Sequence, residues 1–429
     1  YMEVHIMVVQ HNMQAANANR MLNVTTGQQA KSTEKLSSGY RINRAADDAA
    51  GLSISEKMRK QIRGLDKASS NAEDGVSSVQ TAEGALTEVH SMLQRMNELA
   101  TQSANGTNST TDRSAIQDEI SQLTTEIDRV AETTKFNETY LLKGGDGTKQ
   151  EYMKGHDAGL KGTLTDGTTK ATFKVAAGAL DEGKSVTIGG KDYTIGSTVN
   201  DVQAAVDKLT AADDKVTVND KTYTYVAANS KAPGGQTVTT AGWVLDGDKT
   251  STTGTTLTIA NGDKVTTTPK TGASASYTAA EMDNGVSKAD PSIISAEKAV
   301  SLMKDELIAA NKVGVTNGTV TITGTPAYDK DNGVTFEINK GSAEVANKLS
   351  FSLHVGSDAD MTNKITVGIE TMNSSYLGIK GLNVNDDSGI AGTYAIDAIS
   401  DALQKVSDQR SSLGAVQNRL EHTINNLDN

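Results

Sequence analysis

An apolar position recurs every three or four residues through a long stretch in the first quarter of the chain. A repeat of about 3.5 residues puts one apolar stripe along one side of an α-helix, and other helices have to cover it. Glycines inside the stretch each cost about 1 kcal/mol relative to alanine, so packing rather than propensity must hold the helix. The pattern predicts one helix from about residue 47 to about residue 105, roughly 90 Å long at about 1.5 Å per residue. We call its stripe the long seam: Gly51, Ile54, Met58, Gln61, Leu65, Ala68, Ala72, Gly75, Val79, Ala82, Leu86, Val89, Leu93, Met96 and Ala100.

Two further stretches repeat the same period. The first follows a turn in which Ser109 and Asp112 fit a capping box, and its apolar members are Ile116, Ile120, Leu123, Ile127 and Val130. The turn is short, so this helix should run antiparallel to the first. The second stretch is interrupted by Arg410 and Gln417, and its apolar members are Ile396, Ile399, Leu403, Val406, Leu413, Leu420, Ile424 and Leu427. Together they predict a mainly α rod, a long antiparallel coiled-coil-like helical bundle built from both chain ends.

A weaker amphipathic pattern precedes the long seam. Residues 8–32 predict a helix rich in Gln, Asn and Thr, whose apolar members are Val9, Met13, Ala16, Met21 and Val24. Such a helix cannot stand alone in water and needs partners. Residues 1–6 match nothing that follows, and we interpret them as a non-native addition or an annotation remnant.

The middle of the chain has a different character. From about residue 145 to 345 it is rich in Gly, Thr, Asp and Lys, with apolar residues alternating as in strands. Residues 186–195 and 216–225 each predict a β-hairpin, as a duplicated hairpin or a weak β–α–β repeat around a helix at 199–209. We expect one or two small inserted α+β or β-rich domains. The other predicted elements are strands at 257–259, 320–322, 349–353 and 365–367, and a helix at 291–310.

Composition narrows the function classes. Aromatic residues make up only 4% of the chain, so its cores are thin and rest on helix seams or small β-domains. The net charge of −12 argues against nucleic acid, which requires a basic face. The chain has no cysteine, which excludes disulfides and thiol chemistry. No apolar run approaches the roughly 18 residues of a membrane span, and no stretch resembles the apolar core of a signal peptide.

Catalytic and metal-binding patterns are absent from the sequence. The six histidines include no pair four residues apart with a glutamate between, so the zinc-protease motif is missing. Asp329, Asp331, Asn332 and Gly333 resemble the start of a calcium loop, but their spacing is one residue off and a plain turn fits better. We find no phosphate loop and no nucleophile–base constellation. We therefore expect neither an enzyme nor a bound cofactor or metal.

Several motifs are shared with one family. Residues 33–51 read TEKLSSGYRINRAADDAAG, and residues 409–420 near the other end read QRSSLGAVQNRL. Between them lie AEGAL at 82–86, LQR at 93–95 and EIDRV at 126–130. In this combination and order the chain resembles bacterial flagellins, the subunits of the flagellar filament, of the clostridial type. The resemblance covers residues 7–150 and about 349–429.

The resemblance implies a structural subunit that polymerises into the flagellar filament for motility. It implies export through the flagellar channel without a cleaved signal peptide, assembly beneath the filament cap and an extracellular location. Its partners would be other flagellin subunits, the export apparatus, the cap and the flagellin-sensing Toll-like receptor of animal hosts. A hook–filament junction protein of the same superfamily and a coiled-coil surface adhesin are the alternatives.

The resemblance also divides the chain into regions. An N-terminal inner-tube helix with its linker occupies residues 7–43, and the helical rod domain takes residues 44–150 and 346–429. The variable, surface-exposed α+β insertion is residues 151–345. Flagellins normally continue past the equivalent of Asn429 into a further helix that pairs with the N-terminal one. We therefore expect a C-terminal segment to be missing, residues 8–32 to be uncovered and mobile, and the chain alone to be monomeric.

The candidate site is an interface, for subunits or for the receptor. Arg95 lies two positions after Leu93 of the long seam and hence on the outer face, where a solvated arginine paired with Glu98 or Glu88 is the plain interpretation. The resemblance implies instead an anchor, because an arginine that stacks and forks to carboxylates or carbonyls suits an interface. The residues assigned to this interface are Leu93, Gln94, Arg95, Glu98, Gln417 and Arg419.

Overall fold

A computed structural model describes residues 13–46 and 48–428. The predicted residues 1–6, Val9 and Asp47 therefore lie outside the described part. Within it, the three long heptad helices of the sequence are confirmed. The helices are α1 Met13–Ser38, α2 Ala49–Ala104, α3 Thr110–Thr133, α4 Val199–Asp207, α5 Ala296–Asn311, α6 Ser374–Leu377 and α7 Ile390–Asp428, with a short 3₁₀ helix at Met361–Asn363.

The strands lie between α3 and α7. In chain order they are β1 Lys135–Phe136, β2 Thr139–Tyr140, β3 Gly145–Tyr152, β4 Thr163–Asp166, β5 Lys170–Val175, β6 Ser185–Ile188, β7 Lys191–Ile195, β8 Ser197–Thr198, β9 Lys215–Val218, β10 Lys221–Val226, β11 Ser230–Lys231, β12 Thr237–Val238, β13 Gly242–Leu245, β14 Lys264–Thr268, β15 Ala275–Ala280, β16 Met282–Asp283, β17 Val286–Ser287, β18 Ile293–Ile294, β19 Thr321–Ile322, β20 Val334–Asn339, β21 Ser342–Asn347, β22 Leu349–His354 and β23 Lys364–Ile369. None of the described helices is long and apolar enough to span a membrane.

The chain forms two compact units. The first holds the described residues of 13–77, Phe351–Val367 and 415–428, and the second holds Ser78–Ser350 and Gly368–Gly414. The core of the first unit joins α2 and α7 to the β22 and β23 strands through Ala72, Val355, Ile365 and Leu420. A Cβ on Gly75 would lie 2.2 Å from Cδ1 of Leu353, so this glycine is required by close packing. The long seam thus tolerates a glycine where a neighbour fills its space.

The second unit contains the rest of the long helices. The long seam is buried from Val79 to Ala100. The predicted stripes of α3 and α7 are confirmed in part: their buried members in this unit are Ile116, Ile120, Ile127, Ile399, Val406 and Leu413, and their half-buried members are Leu123, Val130, Ile396 and Leu403. The Ser109–Asp112 capping box at the start of α3 is confirmed, with the Ser109 hydroxyl accepting from the Asp112 backbone N–H. Contact between α2 and α7 includes the ion pair of Arg410 with Glu83 at 3.7 Å.

The inserted region is also part of the second unit. Both predicted hairpins are present, and each turns through two residues with positive φ: Gly189 and Gly190 in one, Asn219 and Asp220 in the other. They belong to separate sheets, which supports a duplicated hairpin rather than a β–α–β repeat. The sheet orders are β19-β20-β5-β4, β16-β17-β18-β7-β6 and β13-β10-β9-β14-β15-β8.

Two cores stabilise these sheets. Phe173 and Phe336 pair across β5 and β20, and α5 packs against them with Met303 and Leu307. In the other core, α4 places Val202 and Val206 against the six-stranded sheet; its remaining buried members are Val216, Trp243, Ile259, Val265 and Ala279. The insertion therefore has its own apolar interior.

Two sequence predictions for the insertion are wrong in detail. Residues 257–259 form no strand, because the side chain of Gln203 on α4 supplies their hydrogen bonds. Its Nε2 donates to Leu257 O at 2.9 Å, and its Oε1 accepts from Ile259 N at 2.9 Å. The helix predicted from residue 291 begins at Ala296, with Ser295 as N-cap. Its expected first turn is used as β18, which pairs with β7 and β17.

The calcium-like segment is a turn, as the sequence favoured. The Asp329 carboxylate accepts from the backbone N–H groups of Asp331 at 3.0 Å and Asn332 at 2.8 Å. Gly333 has a φ of 75° and closes the turn onto Asp329. Among the described residues, no group of three or more His, Asp or Glu side chains could hold a metal ion.

Candidate subunit and receptor interface

The candidate residues on α2 divide into one buried side chain and three exposed ones. Leu93 is fully buried, whereas Gln94, Arg95 and Glu98 are exposed. This follows from helical geometry, because neighbours on a helix are about 100° apart and cannot all share the buried face. Since Leu93 is buried within the chain, the part it can play in an interface is to position the exposed residues beside it.

Arg95 connects two helices. Its Nε donates to Glu119 Oε1 of α3 at 2.9 Å, and its Nη1 donates to Glu98 Oε2 at 3.0 Å. Hydrogen bonds to Glu119, and then to Glu98, raise the pKa of the Arg95 guanidinium. Half of the Arg95 side chain remains exposed, so these contacts fix the guanidinium at the surface without covering it. Glu98 was expected from the sequence, and Glu119 was not.

Gln94 extends this exposed strip along α2. Its Nε2 lies 3.2 Å from Nε2 of His90, one helical turn earlier. Gln94, Arg95, Glu98 and Glu119 therefore form a polar surface, which we call the Arg95 patch. Donors and acceptors in it are held in place by neighbours on α2 and α3. Such prior ordering reduces the entropy that a partner's binding would cost.

The two candidate residues near the chain end lie on α7 in the first unit. Gln417 is half-buried and donates from Nε2 to Glu421 Oε1 at 2.9 Å. Arg419 is exposed, and within the described residues its guanidinium forms no ion pair. The Arg95 patch belongs to the second unit, so the structure describes these two groups of residues separately.

Sequence reasoning missed a buried arginine near the Arg95 patch. Arg113 of α3 donates to four backbone carbonyls, with Nε to Ser103 O at 2.9 Å and Nη2 to Asn105 O at 3.2 Å. Its Nη1 donates to Asp386 O and Asp387 O, both at 3.2 Å. The sequence did contain a signal for this residue, because Arg113 precedes Ile116 by three residues and so lies on the apolar stripe of α3. The side chain joins the end of α2 to the segment that leads into α7.

A neighbouring glutamine holds the same segment. Gln117 Oε1 accepts from Val384 N at 2.7 Å, and its Nε2 donates to Leu382 O at 2.9 Å. The buried Ser103 hydroxyl donates to Val384 O at 2.7 Å. These side chains of α2 and α3 thus provide hydrogen-bond partners for the backbone groups of Leu382 and Val384, which pair with no described strand.

Comparison with known proteins agrees with these features. Residues 9–146 match the bacterial flagellin N-terminal helical region, and residues 396–429 match the bacterial flagellin C-terminal helical region. A flagellin of Clostridium tyrobutyricum is 38% identical, covering 98% of this chain and 87% of that protein. Flagellin B of Vibrio anguillarum is 33% identical, covering 98% of this chain and 85% of that protein.

Solved structures align less closely. FliC from Burkholderia pseudomallei is 19% identical over 80% of this chain and 99% of its own, with a TM-score of 0.31. The flagellar junction protein FlgL from Legionella pneumophila is 15% identical over 87% and 100%, with a TM-score of 0.32. Scores this low carry no argument, and the assignment rests on the sequence matches over nearly the whole chain. By those matches, the chain belongs to the bacterial flagellin family.

Proposed function

We propose that this chain is a structural subunit that polymerises into the bacterial flagellar filament. The observation that carries the proposal is the exposure of apolar side chains on α1. None of its described residues is buried, and this includes large apolar side chains: Met13 is 69% exposed, and Met21 and Leu22 are each 64% exposed. A helix of this composition is marginal in water on its own, so it requires a packing partner that the described residues do not provide.

The beginning of α2 supports the same function. Ile54, Met58 and Ile62 are spaced four residues apart, and each is more than half exposed. Residues at this spacing lie on one face of a helix. The exposed apolar side chains of α1 and these residues of α2 make up what we call the uncovered stripe: Met13, Met21, Leu22, Val24, Ile54, Met58 and Ile62.

The proposed architecture is a helical rod domain that carries an inserted variable domain. Residues 44–150 and 346–429 would form the rod as an antiparallel bundle, and residues 7–43 an inner-tube helix with its linker. Residues 151–345 would be the insertion on the filament exterior. Support comes from the apolar core around Val202, Val206 and Trp243, whose members all lie in the insertion, and from the shared heptad period of α2, α3 and α7.

Polymerisation can be tested with a variant of the uncovered stripe. The triple substitution Ile54→Ser, Met58→Ser, Ile62→Ser removes exposed apolar groups, so the fold should persist while incorporation into filaments is lost. A matched control, Leu245→Ser with Met361→Ser, changes exposed apolar residues outside the stripe. Electron microscopy after seeding with filament fragments gives the readout. Filaments of normal length from the triple variant would contradict the proposal, and binding at filament ends without elongation would indicate a junction protein instead.

We further propose that the chain is exported through the flagellar apparatus, assembles beneath a filament cap and functions outside the cell. Family membership supports these partners and this location. The lack of cysteine suits a chain that crosses a channel unfolded and must not form crosslinks on the way. A strain in which the flagellar export apparatus is inactivated should retain the protein inside the cell, and its normal appearance in the medium would contradict this route.

The Arg95 patch is our candidate contact for neighbouring subunits and for the flagellin-sensing Toll-like receptor, with Leu93 beneath it. Gln417 and Arg419, in the first unit, are proposed as further contact residues for the same partners. An exposed guanidinium already aligned by two carboxylates suits an interface anchor. Arg95→Ala should therefore weaken receptor binding, measured by surface plasmon resonance.

Arg129 provides the matched control for that experiment. It lies on α3, is exposed, and forms an ion pair with Glu126 three residues earlier. Arg129→Ala removes an arginine of the same kind without touching the Arg95 patch. Equal receptor affinity for both variants and the unchanged protein would remove Arg95 from the interface.

A further inference from the structure

We propose that the second unit contains a binding groove for a small organic anion with an apolar body, a role beyond filament formation. The groove lies where the end of α5 and the following loop meet the beginning of α7, and its volume is about 650 Å³. Sites for small ligands typically have volumes of about 300–1,000 Å³ and are lined mainly by apolar side chains with a few polar groups.

The floor of the groove is apolar. Val313 and Val315 come from the loop after α5, and Ile390 and Ala391 come from the first turn of α7. All four are half-buried, so each has a covered side and an exposed side. A ligand seated here would remove apolar surface from water, which is the dominant favourable contribution to such binding.

The acidic side chains of the groove already have hydrogen-bond partners. Tyr394 is buried, and its hydroxyl donates to the carboxylate of Glu306. Burial, reinforced by this bond, raises the pKa of Tyr394, so the phenol keeps its proton at neutral pH. The groove thus has an acidic group directed at a phenol rather than at a ligand.

The carboxylate of Asp386 also has hydrogen-bond partners within the chain. Its carboxylate accepts from the Ser388 hydroxyl and from the backbone N–H groups of Gly389 at 2.9 Å and Ile390 at 3.1 Å. Burial acts to raise the pKa of Asp386, but these hydrogen bonds outweigh it and the pKa is lowered. Asp386 therefore stays ionised and faces the beginning of α7, whose free N–H groups favour a negative charge.

The two lysines are the charged groups of the groove that have no side-chain partner among the described residues. Lys312 and Lys380 are both exposed, and neither forms an ion pair within the described residues. Formal charges in the groove balance, with two lysines against Glu306 and Asp386. Both carboxylates have hydrogen-bond partners, whereas the charged donors of the two lysines have none and lie beside the neutral side chains of Thr316 and Asn383, so the complementary ligand group is an anion. Lys312 is the C-cap of α5, where helix carbonyls also favour a cation, and we expect Lys380 to contribute more to selectivity.

The size of the groove favours a small molecule over a peptide. A compound with one carboxylate and an apolar body of several carbons would fill it, with the head between Lys312 and Lys380 and the body on the valines. Octanoate is a suitable probe, and octan-1-ol and octylammonium are its neutral and cationic counterparts. The test uses the soluble chain and does not depend on polymerisation, so its failure would leave the filament proposal untouched.

The experiment is isothermal titration calorimetry with octanoate on four proteins. The double variant Lys312→Met, Lys380→Met keeps the apolar stems and removes both charges, and its affinity should fall about tenfold or more. The control Lys221→Met, Lys249→Met changes two exposed lysines outside the groove and should bind as the unchanged chain does. Ala309→Phe fills the groove from an exposed position on α5 and should abolish binding.

Several results would overturn the proposal. They are equal affinity for octanoate and octan-1-ol, unchanged affinity in the double variant, or undiminished binding by Ala309→Phe. Octanoate displaced by an acidic peptide that binds more tightly would assign the groove to a protein partner instead. Circular dichroism of each variant establishes that the helices are intact, and a second filling variant, Thr316→Phe at an exposed loop position, replaces Ala309→Phe if that protein unfolds.

Discussion

The two ends of α2 carry the same spacing of apolar residues and differ in burial. Ile54 and Met58 are each 56% exposed, whereas Leu86 and Leu93 are fully buried. A heptad period therefore predicts that one face of a helix packs against a partner, but it does not identify the chain that provides this partner. For the later part of α2 the cover comes from this chain. For the uncovered stripe, the described residues provide none, and we assign the cover of its α2 residues, Ile54, Met58 and Ile62, to other subunits.

The largest expected effect separates these two ends by stability. Leu93→Ala should cost about 2–5 kcal/mol, because it leaves a cavity in a packed core. Met58→Ala should stay within about 0.5 kcal/mol, as surface substitutions do. Chemical denaturation monitored by circular dichroism measures both. Comparable destabilisation by the two variants would mean that the stripe is covered within the chain.

The second comparison is between two arginines on neighbouring helices. Arg113→Met should destabilise the chain by about 3 kcal/mol, since hydrogen bonds of a charged group contribute about 1.5–3 kcal/mol and four carbonyls lose their donor. Arg95→Met should change stability far less, because its ion pairs are exposed to water. Thermal unfolding distinguishes the two, and a larger loss for Arg95 would show that its patch is a structural element.

A third comparison uses two glycines of α2 and predicts opposite signs. Gly84 has open space around it, so Gly84→Ala should stabilise by about 1 kcal/mol through helix propensity. A Cβ at Gly75 would meet Leu353 and Leu420, so Gly75→Ala should lose about 1–3 kcal/mol to overpacking, offset in part by the same propensity. Denaturation midpoints of the two variants give the answer. A stabilising Gly75→Ala would show that the first unit is loosely packed.

The smallest effect concerns acid and the beginning of α7. The pKa of Asp386 is lowered in the folded chain, so its contribution is present above the ordinary Asp value of about 3.9 and is lost as pH falls through the folded value. The protection of the Gly389 and Ile390 amides against hydrogen exchange, taken relative to the intrinsic rate at each pH, should fall as the solution is acidified below about pH 4. The variant Asp386→Asn should remove this dependence, and an unchanged acid profile in it would assign the effect to another carboxylate.

Much of the helical fold could be predicted because its signals are local. The capping box at Ser109 and the period of α2 each depend on residues close in sequence, and so do the hairpin turns at 189–190 and 219–220. The predictions for residues 257–259 and for the first turn of α5 were wrong because partners distant in sequence determine the backbone pairing there. These partners are Gln203 for the first segment and the β7 strand for the second. Local propensity gives no information about such partners.

The candidate interface was predictable to a lesser degree. Heptad position placed Leu93 inside and Arg95 outside, and the Glu98 contact follows from helical spacing. Glu119 could not be paired with Arg95 without knowing how α3 lies beside α2.

Gln409 was missed because its neighbour Arg410 was taken as the polar interruption of α7. Gln409 is buried and bonds to the Gly368 carbonyl and the Glu370 N–H through its side-chain amide.

The central claim, that other subunits cover the α2 residues of the uncovered stripe, is tested most directly by single-cysteine labelling. The chain has no cysteine, so Met58→Cys introduces one thiol, and Thr165→Cys on the exposed β4 strand serves as control. Each is treated with a maleimide as a monomer and in assembled filaments. We predict rapid labelling of both in the monomer, and strongly slowed labelling of Met58→Cys alone in filaments. Equal labelling of Met58→Cys in monomers and filaments would contradict the account.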